Sequence, residues 1–303
     1  MADVTHEATL AATHGSRRRP ALGRGARSWI PVLPFFLYVA IFLLVPTIWL
    51  LVGAFQTESG RFTLDNVRAL FSDDQTRSAY LNSIAISVTT ALSGTICGFF
   101  VAYAAVKEEA PRWIRPVLTT FAGVAANFAG IPLAFAFVAT LGTTGIITAI
   151  LNDHGLHLYQ NGFTLYSFAG LAMVYTYFQL PLMILVISPA LDGLRREWRE
   201  AATNLGATSF EFWRWVGLPI LWPALLGAFV LLFGNAFAAY ATAWSLIGSQ
   251  IGLVPILIGR VTSGDFASDP QMANALSLGM VLIISIAMVI YALLQRRSGR
   301  WLR

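Results

Sequence analysis

Apolar residues in this chain fall in long unbroken runs. They do not follow the period of two of a half-buried strand, nor the period of 3.6 of a surface helix. Crossing about 30 Å of hydrocarbon takes roughly 20 apolar residues at 1.5 Å rise each. Six runs meet that length: 30–55, 79–106, 117–141, 163–190, 218–247 and 273–294. None carries an Asp, Glu, Lys or Arg within its apolar stretch. In hydrocarbon every backbone N–H and C=O needs a partner within the chain, so each run is expected to be a helix. The pattern predicts an all-α membrane protein with six transmembrane helices.

Composition agrees. Hydrophobic residues make up 56% of the 303 and charged residues only 12%, with a mean hydropathy of +0.66. So few charges cannot clothe the surface of a soluble protein of this size. Residues 1–28 are polar and carry Arg17, Arg18, Arg19, Arg24 and Arg27. They read as a disordered basic cytoplasmic tail ahead of a transmembrane domain at 29–303. The run behind the tail is too long for a cleaved signal and ends in no small-residue cleavage site. With the N-terminus inside, sixteen of the twenty Lys and Arg residues fall on the cytoplasmic side. That bias predicts both termini in the cytoplasm.

The net charge of +5 sits at the borders of apolar runs, in no basic-aromatic patch, so nucleic acid is not an expected partner. The single cysteine, Cys97, lies inside a run and reads as a packing residue, excluding an intrachain disulfide. Asp153, His154 and His157 share an outer loop without a third well-placed metal ligand. Glu108 and Glu109 beside Lys107 read as a solvated charge run. No nucleophile–base arrangement stands out, and neither a cofactor nor a metal is called for. No Gly-x-x-x-x-Gly-Lys-Ser/Thr occurs, so the chain has no P-loop with which to bind ATP.

The informative segment is the longest inner loop, 191–217, between the fourth and fifth runs. Leu194, Trp198, Ala201 and Leu205 recur at helical spacing and form one apolar stripe. Gly206 stands where a helix C-terminus favours a left-handed residue. Thr208 with Glu211 three residues on has the form of a capping box that restarts a helix. Pro219 falls in the first turn of the fifth run, where a proline is tolerated. The loop therefore predicts two helices joined at an elbow.

This loop closely resembles the EAA loop of permeases from binding-protein-dependent ABC importers. Glu200, Ala201, Ala202, Gly206, Val216, Leu218 and Pro219 stand at that family's spacings, with valine for its more usual isoleucine. Phe62-Thr-Leu-Asp-Asn66 and Asn82-Ser83 are similar to permeases of the polyamine, iron(III), thiamine, sulfate and aminoethylphosphonate groups. The resemblance implies the type I importer fold and a non-catalytic permease subunit in the inner (plasma) membrane of a bacterium. It implies two cytoplasmic ATPase subunits, a second permease that is a copy or a sister chain, and an extracytoplasmic binding protein. The seven loop residues would couple the permease to the ATPase. The solute implied is spermidine/putrescine-like or another small polar or charged molecule. The alternative is a secondary transporter driven by an ion gradient. Its proton-coupled form would place carboxylates or histidines at mid-membrane, where this sequence has none.

Polar residues within the runs face either a path or another helix. Asn127, Tyr175, Gln179, Asn235 and Tyr240 are candidates to line the translocation path. Gly94 and Gly98 form a Gly-x-x-x-Gly that permits close helix packing, within the chain or between subunits.

Overall fold

A computed structural model describes residues 32–57, 59–106, 111, 113–160, 162–263 and 269–298. The tail predicted for 1–28 lies outside them. The described chain is helical: α1 (Leu33–Gly53), α2 (Asp65–Ser72), α3 (Asp74–Val106), α4 (Ile114–Ala125), α5 (Ile131–Leu141), α6 (Ile146–Asp153), α7 (Phe168–Asp192), α8 (Arg196–Asn204), α9 (Ser209–Phe237), α10 (Ala241–Ile247), α11 (Val254–Thr262) and α12 (Pro270–Ser298). Six helical stretches among the described residues are long and apolar enough to cross a membrane. The chain divides into two units, Met1–Trp49 and Leu50–Arg303. Helix α1 has no buried residue.

Within Leu50–Arg303 the centre is α7 packed against α3 and α9. Gly94 and Gly98 set that approach: a Cβ on Gly94 would stand 2.7 Å from Gln179 Cβ, and one on Gly98 would stand 2.6 Å from Met183 Cβ. The Gly-x-x-x-Gly pair thus serves packing inside the chain. One core cluster gathers Met183, Ile187, Leu221 and Leu232, and a second gathers Leu133, Leu171, Tyr175 and Ile247. Most of the remaining apolar surface is exposed, as a lipid-facing surface is.

Two of the six expected spans are not single helices. The run 117–141 breaks between α4 and α5, where Gly130 takes φ +74°, ψ −145° and Pro132 follows in the first turn of α5. The long apolar stretch there is Ile131–Asp153, leaving Ile114–Ala125 as a short helix. The run 218–247 breaks between Phe237 and Ala241 although no glycine or proline lies in the gap. The two gaps touch. The Gly130 N–H donates to the Thr242 hydroxyl at 2.9 Å, and the Tyr175 hydroxyl donates to the Ala239 carbonyl at 2.8 Å. Backbone groups freed by each break thus find partners, which is the condition for irregular backbone at membrane depth. In the loop 248–272, α11 turns back into the core with Val254, Pro255 and Ile256 buried. Its Val254 N–H donates to the Ser83 hydroxyl at 2.9 Å.

Candidate functional site

The elbow between α7 and α9 follows from its sequence step by step. Helix α8 ends at Asn204, and Gly206 follows at φ +83°. The Gly206 N–H donates to the Thr203 carbonyl at 2.9 Å and the Ala207 N–H to the Ala202 carbonyl at 3.0 Å. This paired closure is a Schellman cap, and the left-handed position is why glycine stands there. Two residues later the Thr208 hydroxyl accepts the Glu211 N–H, and the Glu211 carboxylate accepts the Thr208 N–H at 2.7 Å. The predicted cap and capping box are therefore both formed.

Next comes a turn that the sequence pattern does not announce. Trp213–Gly217 is a π turn, in which the Leu218 N–H donates to the Trp213 carbonyl. Pro219 follows and has no N–H, and in a regular helix its ring would strike the carbonyl four residues back. Widening the helix by one residue just before it relieves that clash. The Trp213 ring packs edge-on to Tyr103 at 4.8 Å and to Phe99 at 6.1 Å, both near the end of α3. Gly217 makes room for it, since a Cβ there would lie 2.7 Å from the indole. Sequence reasoning missed Trp213 and Gly217 as a pair. The available signal was a glycine four residues after a tryptophan, one turn away on the same helix face.

The apolar stripe of the loop divides in two. Leu194 packs with the core cluster, whereas Trp198 is 38% and Leu205 88% exposed, with Ala201 exposed between them. Phe210 is exposed nearby and Ala202 is half-buried. Glu200 pairs with Arg196 on its own helix, Arg196 Nε to Glu200 Oε1 at 2.7 Å. Val216 lies inside the π turn, and Leu218 and Pro219 begin the regular helix beyond it. An exposed apolar face beside a rigid, capped bend can seat a partner but offers no chemistry of its own.

The five candidate path residues also divide. Tyr175 and Gln179 are buried, and their hydrogen bonds are met within the chain: Tyr175 as above, and Gln179 Nε2 donating to the Leu232 carbonyl at 2.7 Å. Asn127, Asn235 and Tyr240 are exposed. Each lies within three residues of a helix break. Asn127 donates to the Gly123 carbonyl at 2.9 Å, Asn235 donates to Gln179 Oε1 at 3.4 Å, and the Tyr240 ring stacks on Trp244. Among the described residues no group of His, Cys, Asp or Glu is placed to hold a metal ion.

Six apolar helices, two of the expected spans broken, and a capped elbow outside the spans define a multi-pass membrane permease. Residues 94–303 match the family described as binding-protein-dependent transport system inner membrane component, and the chain belongs to it. It is 26% identical over 237 residues to the trehalose transport system permease protein SugB of Mycobacterium tuberculosis, covering 78% of each chain. It is 24% identical over 270 residues to the spermidine/putrescine transport system permease protein PotB of Haemophilus influenzae, covering 86% of this chain and 92% of that one. A bacterial alginate ABC transporter, solved with an alginate pentasaccharide-bound periplasmic protein, contains a chain of the same fold. The TM-score is 0.71 at 18% identity, over 90% of this chain and 95% of that one. The protein is thus the inner-membrane permease subunit of a bacterial ABC importer, and ATP hydrolysis belongs to a separate subunit. The gradient-driven carrier is set aside.

Proposed function

We propose that the elbow hands work from a cytoplasmic ATPase subunit to the helix bundle. The observation that carries this is the exposed apolar face of α8, Trp198, Ala201 and Leu205, next to a bend fixed by two caps. An apolar face of this kind, exposed among the described residues, marks an interaction surface. Ala201 and Ala202 permit close approach. Glu200 exchanges its Arg196 partner for one on the ATPase. Gly206 sets the bend, and Val216, Leu218 and Pro219 carry it into α9. Trp213, wedged against α3, spreads the displacement to a second spanning helix. Rigid-body switching of packed helices is the motion this geometry suits.

The assembly we infer has two ATPase subunits, a second permease that is a copy or a sister chain, and an extracytoplasmic binding protein. Both termini face the cytoplasm. The solute passes beside the touching helix breaks, where Asn127, Asn235 and Tyr240 are exposed. It is a small polar or charged molecule, and a spermidine/putrescine-like solute is the first to test. In native vesicles, a cysteine at Leu205 is expected to crosslink to the ATPase, and uptake is expected to stop without ATP and continue with an ionophore. Crosslinking to lipid alone, or uptake indifferent to ATP, overturns the coupling role.

A further inference from the structure

A pocket of about 120 Å³ opens beneath the first turn of α8. Its floor includes Val106, Leu191 and Phe212, the first two at the ends of the spanning helices α3 and α7. Arg195, Arg196 and Arg199 also line it, and no acidic side chain does among the described residues. Arg196 is tied to Glu200 through Nε. Arg195 and Arg199 form no ion pair with any described residue. The nearby Asp192 is engaged by Arg115. The lining therefore combines apolar and basic side chains where two spanning helices end.

We propose that this pocket binds the phosphate of an anionic membrane phospholipid. Guanidinium groups present a planar fork that matches phosphate oxygens, and two here pair with no carboxylate among the described residues. A free phosphate ion would gain from the arginines but not from the floor. A phospholipid satisfies both, with its glycerol and first methylenes against Val106 and Leu191 and its phosphate among the guanidiniums. Basic pockets between spanning helices at the bilayer surface recognise headgroups on this basis. Helix α8 and its edges thus carry both surfaces: Arg195, Arg196 and Arg199 line the pocket, while Trp198, Ala201 and Leu205 form the docking face.

The test measures lipid retention directly. The intact transporter, reconstituted in nanodiscs of phosphatidylglycerol and phosphatidylethanolamine, is released into native mass spectrometry. Wild type is expected to retain phosphatidylglycerol in preference. Removing two guanidiniums with Arg195→Gln and Arg199→Gln together is expected to lower that preference about thirty-fold. Arg195→Lys with Arg199→Lys keeps the charge and is expected to keep most of the preference. Photoreactive phosphatidylglycerol should label peptides containing Val106, Leu191 or Phe212 in the unaltered protein, which requires no variant to fold. Equal retention by wild type and the glutamine variant overturns the proposal, as does equal retention of the two lipids. Displacement by millimolar inorganic phosphate would assign the pocket to a soluble anion and overturn the lipid.

Discussion

A single glycine shows how backbone conformation and space separate as causes. At Gly206 nothing lies within 4 Å of a would-be Cβ, so substitution there is opposed only by the φ of +83°. Placing an ordinary residue in that region is unfavourable by about 1–2 kcal/mol, with Asp and Asn tolerated best. Gly206→Val is therefore expected to impair uptake more than Gly206→Asp at equal membrane abundance; the opposite order would mean that charge, not backbone, sets the role of the bend. Gly217 is the converse case, because its Cβ would meet the Trp213 ring. Gly217→Ala is expected to lower the melting temperature, and the same change in a Trp213→Leu background is expected to lower it less. Additive effects would show that the two do not meet. A third residue acts through its charge. Asp73 caps α3, accepting the Thr76 hydroxyl at 2.6 Å and the Thr76 N–H at 2.8 Å, and these bonds hold its carboxyl below the ordinary 3.8. The folded value is depressed, so this stabilisation is present above the unfolded value and lost as pH falls through the folded one. Asp73→Ala is expected to destabilise by about 1 kcal/mol near neutral pH, with the difference from wild type closing below pH ~3.8 in thermal melts.

Helix breaks differ in how legible they are. The gap between α4 and α5 ends in Gly130 with Pro132 just beyond it, yet the run 117–141 still reads as one span because no charged residue interrupts it. The gap between α9 and α10 has only alanines and Tyr240 to show, and the partner of its freed Ala239 carbonyl lies sixty-four residues away, in the Tyr175 hydroxyl. Tyr175→Phe is expected to free that carbonyl, lower thermal stability and slow transport, while leaving ATPase association intact. Unchanged stability would show that the break does not depend on this bond. The elbow lies at the other extreme. Its caps, its glycine and its proline act over three or four residues, so the spacing alone announces them. Its π turn does not appear in the pattern, although Ala40–Leu44 repeats the device one residue before Pro46. In both places a proline in an apolar helix follows directly on a widened turn.

At the scale of the whole chain, orientation rests on where the arginines fall. In a Cys97→Ala background, a cysteine at His154 is expected to react with an impermeant maleimide from outside, and one at Ser209 only after permeabilisation. The reverse pattern would invert the topology and place the elbow out of reach of an ATPase. Membrane residence, helical class and the form of the elbow were determined by the sequence itself. Hydrocarbon length, charge bias and cap chemistry are local or additive properties that need no knowledge of neighbours. Which polar residues are spent on the core was decided by tertiary structure alone. Gln179 and Asn235 look alike in sequence, but one is sealed between α3, α7 and α9 and the other is exposed. That difference arises from the direction each side chain faces once Gly94 and Gly98 let the helices close, and direction is a property of packing that no run of apolar letters contains.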